Sequence, residues 1–233
     1  MYILLAAATT FEIQPTIDAL GLSPTGTGPE TALDVRPLIT GVGAIAATWS
    51  IMRQIDSERP ALIVQAGIAG CLTGGSPGDV FAVVEDQFSD QGVWESGHFK
   101  SLFEMKLADG NAFPFTAGKL VNPRRQLLVL TGLPTVGALT VNEITTNPER
   151  IRWYQQNTTA IVESMEGGAL HYVGLQTGIP FLQLRSISNA VGVRDKTQWD
   201  IKLAIARLNE ALISLLTNPA LKKEIDHPSN LIA

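Results

Sequence analysis

"VESMEGGALHYV", residues 162–173, changes its hydrophobic period part-way along. A short apolar run reaches Glu166, and three small residues, Gly167, Gly168 and Ala169, then open a helical period. That period stops at Gly178, with Pro180 just beyond, which is a helix-ending pair. Another apolar run follows at once over 181–187. A strand, a helix and a second strand in succession describe one α/β unit.

The same alternation extends in both directions. Strands are expected over 2–8, 35–40, 61–66, 80–85, 135–141, 160–162 and 181–187. Helices are expected over 12–20, 44–55, 148–156, 166–177 and 201–216. The last is the clearest, because Ile201, Ile205, Leu208, Leu212 and Leu215 share one face and Asp200 caps its start. Residues 87–134 show no clean period and predict loops and short strands, the usual carriers of binding groups. The end of the chain, "EIDHPSNLIA", reads as a loose tail after about residue 218.

Composition narrows the classes. The chain has 233 residues, 45% hydrophobic and 17% charged, and fits one domain with a substantial core. Its formal net charge of −5 and lack of any basic run argue against nucleic acid. The lone Cys71 rules out an intrachain disulfide and the cysteine-rich zinc patterns. His98, His171 and His227 show no ligand spacing, so neither a metal nor a cofactor is expected. The apolar start "MYILLAAATTFEI" has no basic leader and is too short to span a bilayer. It reads as a buried first strand of a cytoplasmic protein that does not engage a membrane.

Four stretches carry chemistry. "TGVGAIAA" at 40–47 fits the loose dinucleotide pattern through Gly41, Gly43 and Ala46. The following strand, however, ends in Ala66 and Gly67 with no acid to hold a ribose. A tight strand-to-helix turn is the better reading. "QAGIAGCLTGGSPGDV" at 65–80 is either a flexible loop or a backbone that Gly67 and Gly70 open to a ligand. Met165 and Glu166 fall at the C-terminal edge of a sheet, where α/β folds bind ligands. There a carboxylate can clamp a vicinal diol and a thioether can lie on a flat ring. As plain structure, Glu166 is an acid on a helix dipole, and Glu12 is a helix-start acid.

Glu12, the 65–70 glycines, Met165–Glu166 and "LRSISN" with Ser188–Asn189 together resemble the purine nucleoside phosphorylase and nucleosidase superfamily over roughly residues 1–216. Within it the pattern is most similar to futalosine hydrolases, then to methylthioadenosine/S-adenosylhomocysteine nucleosidases. The resemblance implies a mixed, partly closed central β-sheet flanked by helices in three α/β/α layers, with one nucleoside pocket and a homo-oligomer, dimer or higher. It implies that Glu12 activates the attacking water and that Met165 packs on sugar and base. Glu166 would bind the ribose hydroxyls, with Gly67 and Ile68 lining the pocket. Arg185 and Ser188 would orient the water-activating acid and the leaving-group residue.

Asn189 stands where the adenosine-cleaving enzymes carry Asp. An amide nitrogen offers two donors, which suits the N7 and O6 acceptors of a 6-oxopurine such as hypoxanthine. The phosphorylases' phosphate arginine is replaced by Gln65 and the neighbouring serine by Ile68, so water is the expected nucleophile. A carboxylated 5′ arm would call for a cation, for which Lys100, Arg194 and Lys196 all lie in suitable loops. Trp94, His98 and Phe99 are either an aromatic wall beside that arm or ordinary packing. An adenosine thioether nucleosidase and a non-catalytic nucleoside binder are the alternative readings. The first is disfavoured by Asn189, the second by the joint presence of Glu12, Glu166 and Arg185.

Overall fold

The computed structural model describes residues 1–23 and 33–226. Along the chain run β1 (Tyr2–Ala7), α1 (Thr10–Leu20), β2 (Asp34–Ile39), α2 (Ala44–Ser57), β3 (Leu62–Cys71) and β4 (Val80–Phe88). There follow β5 (Gly92–Glu95), β6 (His98–Ser101), β7 (Leu120–Val121), α3 (Arg125–Leu130), β8 (Thr135–Thr140) and α4 (Pro148–Asn157). The last elements are β9 (Ala160–Ser164), α5 (Gly167–Thr177), β10 (Phe181–Ala190), a 3₁₀ turn (Lys196–Gln198), α6 (Ile201–Leu216) and α7 (Pro219–Asp226).

The sheet is mixed and closes on itself. β3 pairs in parallel with β10, β10 antiparallel with β4, β4 parallel with β8, β8 parallel with β9, and β9 antiparallel back onto β3. β1 and β2 continue the sheet from the other half of β3, all in parallel. This is the expected partly closed sheet, and β3 is its pivot.

Burial explains why β1 reads as an unbroken apolar run. Ile3, Leu5 and Ala7 pack with α1 and α6 through Ile13, Leu208 and Leu212. Tyr2 and Leu4 face the other way, onto Ile51 of α2 and Leu170 and Val173 of α5. A strand covered by helices on both faces needs apolar residues at every position. The inside of the ring is filled separately, by Ala69, Phe81, Val83, Ala138, Val162 and Ile187.

Three expectations are corrected. β3 does not stop at Ala66: the glycines at 67 and 70 are strand, held by β10 and β9 rather than forming a loop. β10 runs on to Ala190, with a register shift between Ile187 and Asn189, so Asn189 belongs to the strand. The chain beyond 218 continues as α7, and its Leu221 is wholly buried in the largest core cluster. The final residues of the predicted tail, with His227, lie outside the described residues. Asp200 caps α6 as expected, accepting from Leu203 N–H at 3.0 Å.

Candidate active site

The carboxylate of Glu12 is fixed at both oxygens. It sits at the third position of α1, where Oε2 accepts from Thr9 N at 2.9 Å and Thr9 Oγ1 at 3.1 Å as half of a capping box. Its Oε1 reaches across to β3 and accepts from Ile68 N at 3.1 Å. The capping and functional readings of this acid are therefore compatible, since each uses a different oxygen.

The first turn of α1 has an unusual support. Pro15 lies inside the helix and lacks the N–H that would bond the Phe11 carbonyl, and beside it Thr16 N–H and Glu12 C=O each take a side-chain partner. Asn209 of α6 inserts its side chain there: Oδ1 accepts from Thr16 N at 3.0 Å and Nδ2 donates to the Glu12 carbonyl at 2.9 Å. Asn209 is almost completely buried on the apolar face of α6. Sequence reading missed it. The available signal was a polar residue on that face together with a proline inside the helix it packs against.

β10 supplies the next groups. Arg185 is buried, donates from Nη2 to Gln65 Oε1 at 3.0 Å, and places Nη1 3.6 Å from Glu166 Oε2. Its ion-pair partner is Glu166, and the same Nη1 stands over Gly67 beside Glu12 Oε1. A Cβ on Gly67 would overlap Arg185 Nη1 and lie 2.9 Å from Glu12 Oε1, so only glycine lets both groups stand over this strand. Gly67→Ala is expected to cost about 10²-fold in kcat/KM, the scale of an ångström misplacement, with a smaller fall in Tm. Steady-state kinetics beside a melting curve checks this.

Glu166 occupies the N-cap position of α5 without a side-chain capping bond, and accepts from Gly43 N–H at 3.0 Å through Oε1. Gly43 starts α2 with φ of 95°, a conformation that favours glycine. The glycine turn at 40–47 thus serves the site by aiming an N–H at Glu166. The tight strand-to-helix turn read there is the one observed.

At the end of β10, Ser188 Oγ donates to Asn189 Oδ1 at 2.7 Å, with Ala69 O also within reach at 3.2 Å. Asn189 Nδ2 donates to Ala190 O at 2.8 Å. One of its two N–H groups is therefore engaged, and one remains for a ligand. The argument from two free donors is corrected to one, held in place by the serine.

Glu12, Ile68, Gly70, Met165, Glu166, Ser188 and Asn189, among others, line one cavity of about 280 Å³; Gly67, expected to line it, and Arg185 stand behind that lining. Phe11, Val42 and Ile144 stand exposed at its mouth, and Arg194 and Trp199 border it, with the guanidinium 5.4 Å from the Trp199 ring centroid. Glu163 also lines it. Burial pushes its carboxyl above the usual range, and its Oε1 accepts from Thr145 N at 3.1 Å, anchoring the loop that carries Ile144. A wider hollow of about 810 Å³ lies against residues 101–118, but none of the polar side chains lining it is buried.

The other sequence candidates fall elsewhere. Trp94, His98 and Phe99 pack edge-on around Trp153 of α4, so their contacts are ordinary packing. Lys100 pairs with Glu95 at 2.9 Å on the β5–β6 hairpin, and Lys196 lies on the exposed 3₁₀ turn. Among the described residues no group of His, Cys, Asp or Glu is placed to hold a metal ion. No helix among them is long and apolar enough to cross a membrane.

The family model of the phosphorylase superfamily matches residues 33–218. The chain belongs to that superfamily. A futalosine hydrolase of Acidothermus cellulolyticus is 30% identical over 208 residues, covering 84% of each chain. One of Thermus thermophilus is 30% identical over 183 residues, covering 77% of this chain and 80% of the relative. A methylthioadenosine/S-adenosylhomocysteine nucleosidase of Psychromonas ingrahamii is 26% identical over 75% of this chain and 76% of its own. Among solved structures, futalosine hydrolase of Helicobacter pylori superposes with a TM-score of 0.76 at 16% identity, over 92% of this chain and 97% of that one. The expected family and fold are both borne out. The buried amide of Gln65 serves Arg185 and, from Nε2 at 3.4 Å, the Glu166 carbonyl.

Proposed function

We propose that the protein hydrolyses the N-glycosidic bond of a 6-oxopurine nucleoside, with futalosine as substrate, hypoxanthine as one product, and a place in menaquinone biosynthesis. The observation that carries the base assignment is the fixed amide of Asn189. With Oδ1 taken by Ser188, it turns an N–H donor toward the pocket. N7 accepts in every purine, but O6 of a 6-oxopurine accepts where a 6-amino group donates, so a donor whose amide oxygen is already taken favours the 6-oxo edge.

Glu12 takes a proton from water as the water oxygen bonds to C1′. The C1′–N9 bond breaks with its electron pair leaving on the purine, which Asn189 stabilises as charge gathers and which takes its proton from solvent. Glu166 holds the ribose diol, and its charge lies close to the cation-like sugar. Met165 covers the sugar and base. The cavity-lining residues include one cation, Arg194, at the rim, while Arg185 is paired behind Glu166. A phosphate dianion beside Glu12 and Glu166 would lack compensation, which favours water as the nucleophile.

The test is release of free base from futalosine, inosine and methylthioadenosine, each with and without phosphate. Hypoxanthine from futalosine without phosphate is expected. Adenine from methylthioadenosine alone would overturn the base assignment, and dependence on phosphate would overturn hydrolysis.

Arg194 is the cation placed to meet a carboxylated 5′ arm, ahead of Lys100 and Lys196. Because it is exposed, the effect is modest: Arg194→Ala is expected to raise KM for futalosine about three- to fivefold and leave KM for inosine unchanged.

The protein acts as a cytoplasmic homo-oligomer in this reading, with Cys71 buried and unpaired. Val42, which lines the cavity just before α2, is 58% exposed, and Ile45 and Trp49 on the first turns of α2 are 84% and 65% exposed. A second copy seated there would cover the patch and roof the pocket together. Sedimentation of Trp49→Asp against the unaltered protein checks this, with dissociation to monomer expected.

A further inference from the structure

A second buried polar cluster lies behind the site, under the N-terminus of α5. Asp86 of β4 is 1% exposed. Its Oδ1 accepts from Thr140 Oγ1 at 2.8 Å, and that hydroxyl oxygen accepts from Gly168 N–H at 2.7 Å. Asp86 therefore holds, through Thr140, the backbone two residues after Glu166.

Five buried atoms nearby make no well-formed hydrogen bond among the described residues: Asp86 Oδ2, Gln183 Nε2 and Oε1, His171 Nε2, and Arg185 Nε, although the Gln183 amide already lies close enough to hold the Asp86 carboxyl down and the His171 imidazole up. Gln183 stands between the others. A Cβ on Gly167 would overlap both Gln183 Nε2 and Asp86 Oδ2, so glycine is what lets these two approach. His171 Nδ1 lies 2.9 Å from Leu120 O and must donate to it, which leaves Nε2 as an acceptor. The orphans are complementary. The Gln183 amide nitrogen has a proton for Asp86 Oδ2 and another for His171 Nε2, and its oxygen can accept from Arg185 Nε. A small rotation of one amide joins Glu166, Arg185, Gln183 and Asp86 in a single chain.

We propose that Asp86 is a positioning residue for the ribose clamp, holding Glu166 through Thr140 on Gly168 and through Gln183 on Arg185. This rests on the reading of Glu166 as the diol ligand. An ionised Asp86 shares the charge of Arg185 with Glu166, so Glu166 keeps its bond to Gly43 and its aim into the cavity. With Asp86 protonated, Arg185 is left to Glu166 alone and draws it back from the diol.

Burial raises the Asp86 carboxyl to about 6, although the Thr140 hydroxyl and Arg185 oppose the rise. The charged or titratable groups facing it are Arg185 from β10 and His171 from α5. Burial holds His171 near 4, so it stays neutral across the range of interest. The clamp should therefore weaken as pH falls through about 6.

The test measures dissociation constants of inosine and 2′,3′-dideoxyinosine by calorimetry from pH 5 to 8, in proteins that all carry Glu12→Gln so that inosine is bound but not turned over. The proteins compared are that background alone and with Glu166→Gln or Asp86→Asn added. The background protein should prefer the diol, and lose roughly tenfold of that preference as pH falls through about 6, the scale of one charge-assisted bond. Asp86→Asn should show the weakened preference at every pH, with no inflection. If Asp86→Asn does not fold, Thr140→Val, which keeps the charge but cuts the link to Gly168, should lower the preference at pH 8. An unchanged preference in the variant that folds, or an inflection that survives in Asp86→Asn, would overturn the proposal and leave the Glu166 reading intact. If the background protein has no diol preference, the Glu166 reading fails and the inference fails with it.

Discussion

Glu12→Gln is expected to lower kcat by about 10²–10⁴-fold while KM moves little. A general base acts on a proton that is in transit only in the transition state, so its loss belongs in kcat. The geometry of the carboxylate says how the variant will sit. Three N–H or O–H donors converge on it, two from Thr9 and one from Ile68. An amide has one oxygen, so it can keep either the Thr9 pair or Ile68. Keeping the capping box aims its NH₂ at the Ile68 N–H and over Gly67, where the attacking water would need an acceptor. Stability should fall by no more than a capping interaction, roughly 0.5–2 kcal/mol. A melting curve and a kcat determination on the same preparation decide between the two roles of this acid. A variant with a lower Tm and full kcat would reduce Glu12 to a helix cap.

That dual role shows why the sequence was legible at some positions and not at others. The strand-to-helix junction at 162–173 could be read because small residues after an apolar run have few other uses, and α5 starts at Gly167 as that pattern requires. β1 could be read because burial on both faces leaves no polar position to blur it. The ends of β3 and β10 were cut short for a physical reason. Glycines and a polar Ser-Ile-Ser-Asn run look like loop, but Gly70 lies opposite both Asn189 and Glu163 in the closed ring. Closure is a long-range property, and no local window reports it. The same is true of the supports behind the site. Asn209 acts on a helix almost two hundred residues earlier, and Gly43 acts on Glu166 across 123 positions. The residues proposed to act on substrate announced themselves in sequence, as did Arg185 and Ser188 beside them. Asn209 and the role of Gly43 did not, because an asparagine or a glycine is unremarkable until its partner is beside it.

Asn189→Asp is the other change with a large expected effect, and it acts on the choice of base. In the unaltered protein Nδ2 donates to Ala190 O while Ser188 holds Oδ1. An aspartate in the same position keeps the serine bond but sets its second oxygen against the Ala190 carbonyl, with no proton between them. That contact and the desolvation of the site both raise the carboxyl's pKa, so the variant tends toward the protonated acid. Its single proton then has two competing acceptors, Ala190 O and the purine. Where the carboxyl ionises, it faces the N7 and O6 lone pairs of a 6-oxopurine directly. Leaving buried acceptors unpaired costs about 1–3 kcal/mol each. The ratio of kcat/KM for a 6-oxopurine over a 6-aminopurine nucleoside should accordingly fall by about 10²-fold. The remaining activity on the 6-aminopurine should need the protonated acid and decline as pH rises. Competition between inosine and adenosine series, followed by chromatography of the free bases from pH 5 to 8, measures both effects. An unchanged ratio would mean that Asn189 serves the turn at Ala190 and that another group reads the base.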